Sequence, residues 1–100
     1  MEEVTYRASR LCRILGSPIV FSMVTALLED GVLTPGELAR RLGRSVQTIS
    51  THLAKLRTAD LVRYQRADGH TRYRLKYPRE ARRLVAALRG VVVSTTHVTE

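Results

Sequence analysis

The chain has 100 residues, 44% hydrophobic and 26% charged, with 17 Lys and Arg against 9 Asp and Glu and a formal charge of +8. That usage is globular rather than disordered, and no apolar run approaches the roughly 18 residues that span a bilayer. The opening MEEVTYRASR lacks a signal peptide's apolar core, and the lone Cys12 excludes an internal disulfide, so a basic cytoplasmic domain without membrane contact is expected.

Leu11, Ile14 and Leu15 stand at helical spacing, and Gly16 is placed to stop a first helix. Cys12, beside Leu11 on that helix, reads as a small core residue. Ser17-Pro18 restarts the chain, Ser as N-cap and Pro with the φ of a first helical turn. Val20, Met23, Val24, Leu27 and Leu28 then recur at the spacing of a buried helix stripe, which Asp30-Gly31 ends. Thr34-Pro35-Gly36-Glu37 has the capping-box pattern, a Thr N-cap with a Glu three residues on. Leu38, Ala39 and Leu42 supply a short apolar face, and Gly43 ends this third helix. Ser45 caps a fourth, whose Val46, Ile49, Leu53 and Leu56 are expected to point inward. The opposite face, Gln47, Thr48, Ser50, Thr51 and Lys55, is polar but almost uncharged, unlike the Glu and Lys that fill an ordinary solvent face.

Beyond Asp60 the period shortens to two. Val62, Tyr64, Tyr73, Leu75 and Tyr77 are expected inside, alternating with Arg63, Gln65, Arg72, Arg74 and Lys76 outside. Asp68-Gly69 between the two runs is a hairpin signal. Pro78 opens a last helix carrying Leu84, Val85, Leu88, Val91 and Val92 on one stripe, and the β-branched run after Gly90 lowers the helix propensity of its tail. From Arg63 to Arg83, eight Lys and Arg are offset only by Asp68 and Glu80, so most of the excess charge is concentrated there.

The order α-α-α-α-β-β-α predicts a mainly α fold with a β-hairpin. It is a single domain over residues 1–100, with a helix-turn-helix at about 35–58, a wing at about 61–77 and a last helix at about 78–97. Ala39, Gly43 and Ile49 have the small, turn and packing roles of a helix-turn-helix, and the basic hairpin after it makes the winged form. Charge and order together point to double-stranded DNA as partner. Gln47 can pair bidentately with adenine, Ser50 and Thr51 can bond a base edge or a phosphate, and His52 is a further candidate for base contact. Ser45 and Thr48, beside the free N–H groups of a helix start, suit phosphate. Lys55, Arg57, Arg66, His70 and Arg72 are expected on phosphates, with the wing tip near a minor groove. The chain has no glycine-rich phosphate loop, no Ser/His/Asp spacing and no paired carboxylates, which argues against an enzyme. The alternative is a winged-helix module that binds another protein; such a module usually carries an acidic or apolar recognition face.

The stretch ELARRLGRSVQTISTHLAKLRTADLVRYQRADGHTRYRL, with LCRILGSPIVFSMVTALLEDG upstream, resembles the ArsR/SmtB family of bacterial and archaeal repressors. Ser45, Thr48, Ser50, His52 and Leu53 match the flavour of that family's recognition helix. The resemblance implies a homodimer whose terminal helices pair, with two recognition helices in successive major grooves, and release from DNA when a metal or other inducer binds. Leu11, Leu84, Leu88, Val91 and Val92 are then expected at the dimer interface. Two departures bear on the inducer. Aligning on Glu37-Leu38-Ala39 puts Thr34 and Gly36 where a family site has thiolates, which excludes soft-metal or arsenite capture there. On the last helix, His97 and Glu100 are candidate ligands at i and i+3, but their expected partners fall on Leu84 and Ala86. No metal site or cofactor is therefore assigned. A divalent metal such as nickel or zinc on other histidines, a small molecule, an accessory effector protein, or no inducer at all are the open alternatives.

Overall fold

Helix starts in the computed structural model, which describes residues 1–98 and side chains through Thr95, follow the cap chemistry of the sequence. Helix α1 (Glu3–Leu15) is capped by Glu2, whose carboxylate accepts from the Thr5 N–H at 3.0 Å. Helix α2 (Pro18–Asp30) starts behind Ser17, with Pro18 in its first turn, and meets α1 at a 95° bend. Helix α3 (Pro35–Leu42) has the full capping box: the Glu37 N–H donates to Thr34 Oγ1 at 3.1 Å, and the Thr34 N–H donates to Glu37 Oε1 at 2.8 Å. The same Thr34 N–H, followed by the hydroxyl, holds the Glu37 carboxyl below the ordinary carboxylate range. Helix α4 (Val46–Thr58) is capped by Ser45, whose Oγ accepts from the Thr48 N–H at 3.1 Å.

Two left-handed residues frame α4. Gly43, at φ 67°, turns the chain out of α3 while the Arg44 N–H reaches back to the Ala39 carbonyl at 3.0 Å. Asp60, at φ 64°, ends α4 in the same manner: its N–H bonds the Arg57 carbonyl and the Leu61 N–H bonds that of Leu56, both at 2.9 Å. Strands β1 (Val62–Ala67) and β2 (His70–Leu75) pair antiparallel from Val62↔Leu75 to Ala67↔His70. Asp68 and Gly69 both have positive φ, as a type I′ turn requires. Leu33 forms a bridge to Tyr73, with bonds of 3.1 and 2.8 Å, and so ties the base of the hairpin to the segment before α3. Helix α5 (Pro78–Val98) completes the order α-α-α-α-β-β-α. It stays helical through the β-branched run, since such residues cost only tenths of a kcal/mol each, about 0.5.

The core joins Met23 and Leu27 of α2, Leu38 of α3, and Ile49, Leu53 and Leu56 of α4, all fully buried. Each contributes about 1.5–3 kcal/mol by leaving water. Val62, Tyr73, Leu75 and Val85 close it from the hairpin and α5.

Four sequence expectations are corrected. Val46 is 51% exposed, because the first residue of α4 lies beyond the edge of the core that Ile49 enters one turn later. Tyr64 is 45% exposed: of β1 only Val62 reaches the core, and the rest of the hairpin projects past it. Tyr77 is exposed because the strand ends at Leu75, and the period of two ends with it. Cys12 is exposed too: the side of α1 that carries it faces an open apolar cavity rather than the closed core.

Helix α1 has no fully buried residue, and among its described residues α5 contributes only Val85 to the core. The radius of gyration is 14.8 Å, against about 13 Å for a compact domain of this length. Among the described residues no single helix is long and apolar enough to cross a membrane. The His97 side chain and Glu100 lie outside the described residues.

Candidate nucleic-acid interface

Three contacts set the position of α4. Buried Ala39 and Ile49 let α3 and α4 approach closely. Arg41 makes ion pairs with Glu29 and Asp30, which fastens α3 to the end of α2. At the far end Lys76 Nζ donates to both oxygens of Asp60, at 2.7 and 2.8 Å, and joins the end of α4 to the foot of the wing. That hydrogen bond holds the Asp60 carboxyl below its ordinary range and raises the Lys76 ammonium above its own.

The polar face of α4 is outward, with Gln47, Ser50, Thr51 and Lys55 exposed. Its hydroxyls differ in availability. Ser45 donates to Thr48 Oγ1 at 2.9 Å while accepting the cap bond, and half-buried Thr48 shares that closed arrangement. Thr51 donates to the Gln47 carbonyl at 3.0 Å, leaving an accepting oxygen and a methyl group for a partner. Among the described residues, the side chains of Gln47, Ser50 and Lys55 make no hydrogen bond within the protein. They are the unspent donors and acceptors of this face. His52 is half-buried, and its Nδ1 is buried without a hydrogen-bond partner.

The wing cations divide between two faces. Strand parity puts Arg66 with Tyr64 and Val62 on the face toward α4, and puts Arg63, Gln65, Arg72 and Arg74 on the other. Arg72, with Arg40, also lowers the Glu37 carboxyl by its charge. His70 is exposed at the turn, opposite Ala67. Arg57, near the end of α4, lies over the Tyr64 ring at 4.2 Å from its centroid. Sequence reasoning missed Tyr64 as a member of this surface. Its signal was present, since Tyr64 shares parity with Arg66 and follows Arg57 by seven residues.

A second surface lies on α1, α2 and α5. They surround a cavity of about 350 Å³ whose lining includes Leu11, Cys12, Leu15, Phe21 and Leu84. Beyond it α5 exposes Leu84, Leu88, Val91 and Val92, between 42% and 63%. The positions where the family resemblance would put a soft metal do not fit one. Thr34 offers a hydroxyl already committed to the cap of α3, and Gly36 offers no donor. Among the described residues no three His, Cys, Asp or Glu side chains converge on a point.

A family model for the helix-turn-helix domain matches residues 15–65, from the end of α1 into β1. The HTH-type transcriptional regulator CmtR of Mycobacterium tuberculosis is 41% identical over 71 residues, which is 62% of this chain and 59% of that protein. The chain thus spans under two thirds of the length of the curated relatives it matches. Among solved structures, the transcriptional repressor BigR of Xylella fastidiosa is 29% identical, with a TM-score of 0.73 over 95% of this chain and 92% of that one. The homodimeric winged helix-turn-helix DNA-binding domain of Mb0332 from Mycobacterium bovis, at 23% identity, shares the fold with a TM-score of 0.78 over 96% and 85%. The match runs from α2 through α3, Gly43 and α4 to the first strand of the hairpin, where the geometry above is concentrated, and the chain belongs to the helix-turn-helix domain family.

Proposed function

We propose that the chain is a sequence-specific, duplex-DNA-binding transcriptional regulator, a repressor that acts as a homodimer on an inverted repeat and has no catalytic activity. The observation that carries this reading is the composition of the exposed α4 face. Gln47, Ser50 and Lys55 keep their hydrogen-bonding capacity free on a face without acidic residues, beside a hairpin rich in arginine. The major groove admits one helix, and uncharged donors and acceptors on it discriminate base pairs. Thr51 adds a methyl group suited to thymine, and Ser45, Thr48 and His52 border the reading face. Arg57, Arg66, His70 and Arg72 supply phosphate and groove-edge contacts. Pairing of α1 and α5 with a second copy through Leu11, Leu84, Leu88, Val91 and Val92 supplies two reading helices, with half-sites about one helical turn apart. The work is cytoplasmic, where the genome lies open to such a protein. Its inducer is a small molecule, a divalent metal on a site other than the thiolate one, or an accessory effector protein.

The test is selection of duplexes from a randomised pool followed by band-shift titration. The wild-type chain is expected to enrich an inverted repeat. Gln47→Ala, Ser50→Ala and Thr51→Ala should each weaken specific binding, by about 1–3 kcal/mol where a bidentate base contact is lost. Unchanged specific affinity in all three variants would sink the assignment of α4 as the reading helix.

A further inference from the structure

Beyond the core, the reading helix and the wing meet through Arg57 and Tyr64. The guanidinium lies over the ring, 4.2 Å from its centroid, and one terminal nitrogen is 3.5 Å from the phenol oxygen. The ring in turn stands 5.7 Å from that of Tyr73, its cross-strand partner, with the planes inclined by 32°. Tyr73 is buried and bonded on both backbone groups to Leu33. Arg57 is therefore attached, through two rings in tilted contact, to the part of the hairpin that is tied to Leu33.

The nature of the contact separates Arg57 from the two ion-paired cations that hold α3 and α4 in place. Arg41 and Lys76 are ion-paired to carboxylates, so their charge is neutralised. Among the described residues Arg57 has no carboxylate partner; an aromatic face orients it and leaves its charge intact. A guanidinium held over an aromatic face keeps its N–H donors in its own plane, where a phosphate can take two of them at once. Tyr64 is 45% exposed, so burial of apolar surface gives a poor account of a large aromatic at that position. Arg66 has the same strand parity and extends the positive surface along the same face of the wing.

We propose that Tyr64 is a positioning residue for DNA binding: it holds Arg57 as a pre-ordered fork for a backbone phosphodiester and fixes the wing against the end of α4. This rests on the DNA-binding reading above. Holding the side chain before binding removes the cost of ordering it in the complex. The aromatic face is the essential feature, and the hydroxyl is secondary.

The experiment uses the duplex that the wild-type chain enriches, titrated at several salt concentrations with wild type, Tyr64→Phe, Tyr64→Leu, Arg57→Ala, Arg57→Lys and the Tyr64→Leu/Arg57→Ala double variant. Arg57→Ala should reduce the salt slope by about one. Tyr64→Leu should lose about three- to fivefold in affinity, the worth of an exposed cation–π contact, while Tyr64→Phe keeps most of the wild-type affinity. The double variant should bind no worse than Arg57→Ala alone, since the ring then has nothing to hold. Arg57→Lys, which keeps the charge but not the planar stack, should lose affinity with little change in slope. Wild-type affinity in Tyr64→Leu, independent losses in the double variant, or equal defects in Phe and Leu would each overturn the proposal. Should Tyr64→Leu fold poorly by thermal melting, Arg57→Lys decides alone, and wild-type binding there overturns it. A wild-type chain that enriches no duplex overturns the DNA-binding reading itself, and this proposal with it.

Discussion

Asp60 serves α4 twice, with its backbone and with its carboxylate. Its positive φ ends the helix, a conformation that Asp tolerates better than most residues with a Cβ. The carboxylate then takes both bonds from Lys76. The two shifts set a pH window. Asp60 is lowered in the fold, so its contribution is present above its unfolded value, about 3.9, and is lost as pH falls through the lower folded value. Lys76 is raised, so its contribution is present below its unfolded value, about 10.4, and is lost as pH rises through the higher folded one. Asp60→Asn keeps the turn and removes the charge. Its melting temperature should fall modestly below that of wild type at neutral pH, and the two should converge at the acid end, as followed by circular dichroism. An Asn variant with an unchanged profile would show that the pair is only a surface contact. Sequence reading placed the change of period at Asp60 but not the cap, because an Asp before a strand is as common in loops as in helix ends.

At the scale of elements, the junction between α3 and α4 determines how α4 is presented. Gly43 sits at φ 67°, where a Cβ is strained even though nothing lies within 4 Å of it. Gly36, two residues into the capping box, has an ordinary φ, and an added Cβ would meet atoms only at 3.8 and 3.9 Å. The two alanine variants should therefore part company. Gly43→Ala should cost about 1–2 kcal/mol, which lowers the melting temperature by about 4–8 °C per kcal/mol. Gly36→Ala should be neutral or slightly stabilising, since Ala is the better helix former. Equal melting temperatures for both would refute the left-handed turn. This junction was legible in the sequence: Thr34, Glu37, Gly43 and Ser45 are local signals whose effect lies within a few residues. Tyr64 and Val46 were misplaced because each lies where a periodic pattern runs past the edge of the core, and the pattern carries no information about that edge.

At the scale of the whole molecule, the chain is incompletely packed on one side. Helix α1 buries no residue fully, and α5 presents Leu84, Leu88, Val91 and Val92 at 42–63% exposure. A contiguous apolar surface of this kind marks an interaction site, and a 100-residue domain has a small core to spare for the loss. Leu88→Glu should yield monomers in sedimentation equilibrium and weaken binding to an inverted repeat far more than to a single half-site. A Leu88→Glu chain that still sediments as a dimer would refute α5 as the interface. Binding should fall with salt at a slope of about −0.9 for each phosphate neutralised.

The sequence by itself determined the order of elements, the N-caps of α2, α3 and α4, the hairpin turn and the outward polar face of α4, because each depends on hydrogen bonds and periodicities within a dozen residues. It also located the excess charge, which is a property of composition. Only the tertiary structure decided which polar groups of α4 remain unspent, which cations are neutralised and which are held free, and which apolar residues stay exposed. Those outcomes depend on distances between elements far apart in the chain: Asp60 meets Lys76, Arg41 meets the end of α2, and Arg57 finds the ring of Tyr64 beside Tyr73. Local signals cannot encode such meetings, because they exist only once the core of α2, α3, α4 and the hairpin has closed.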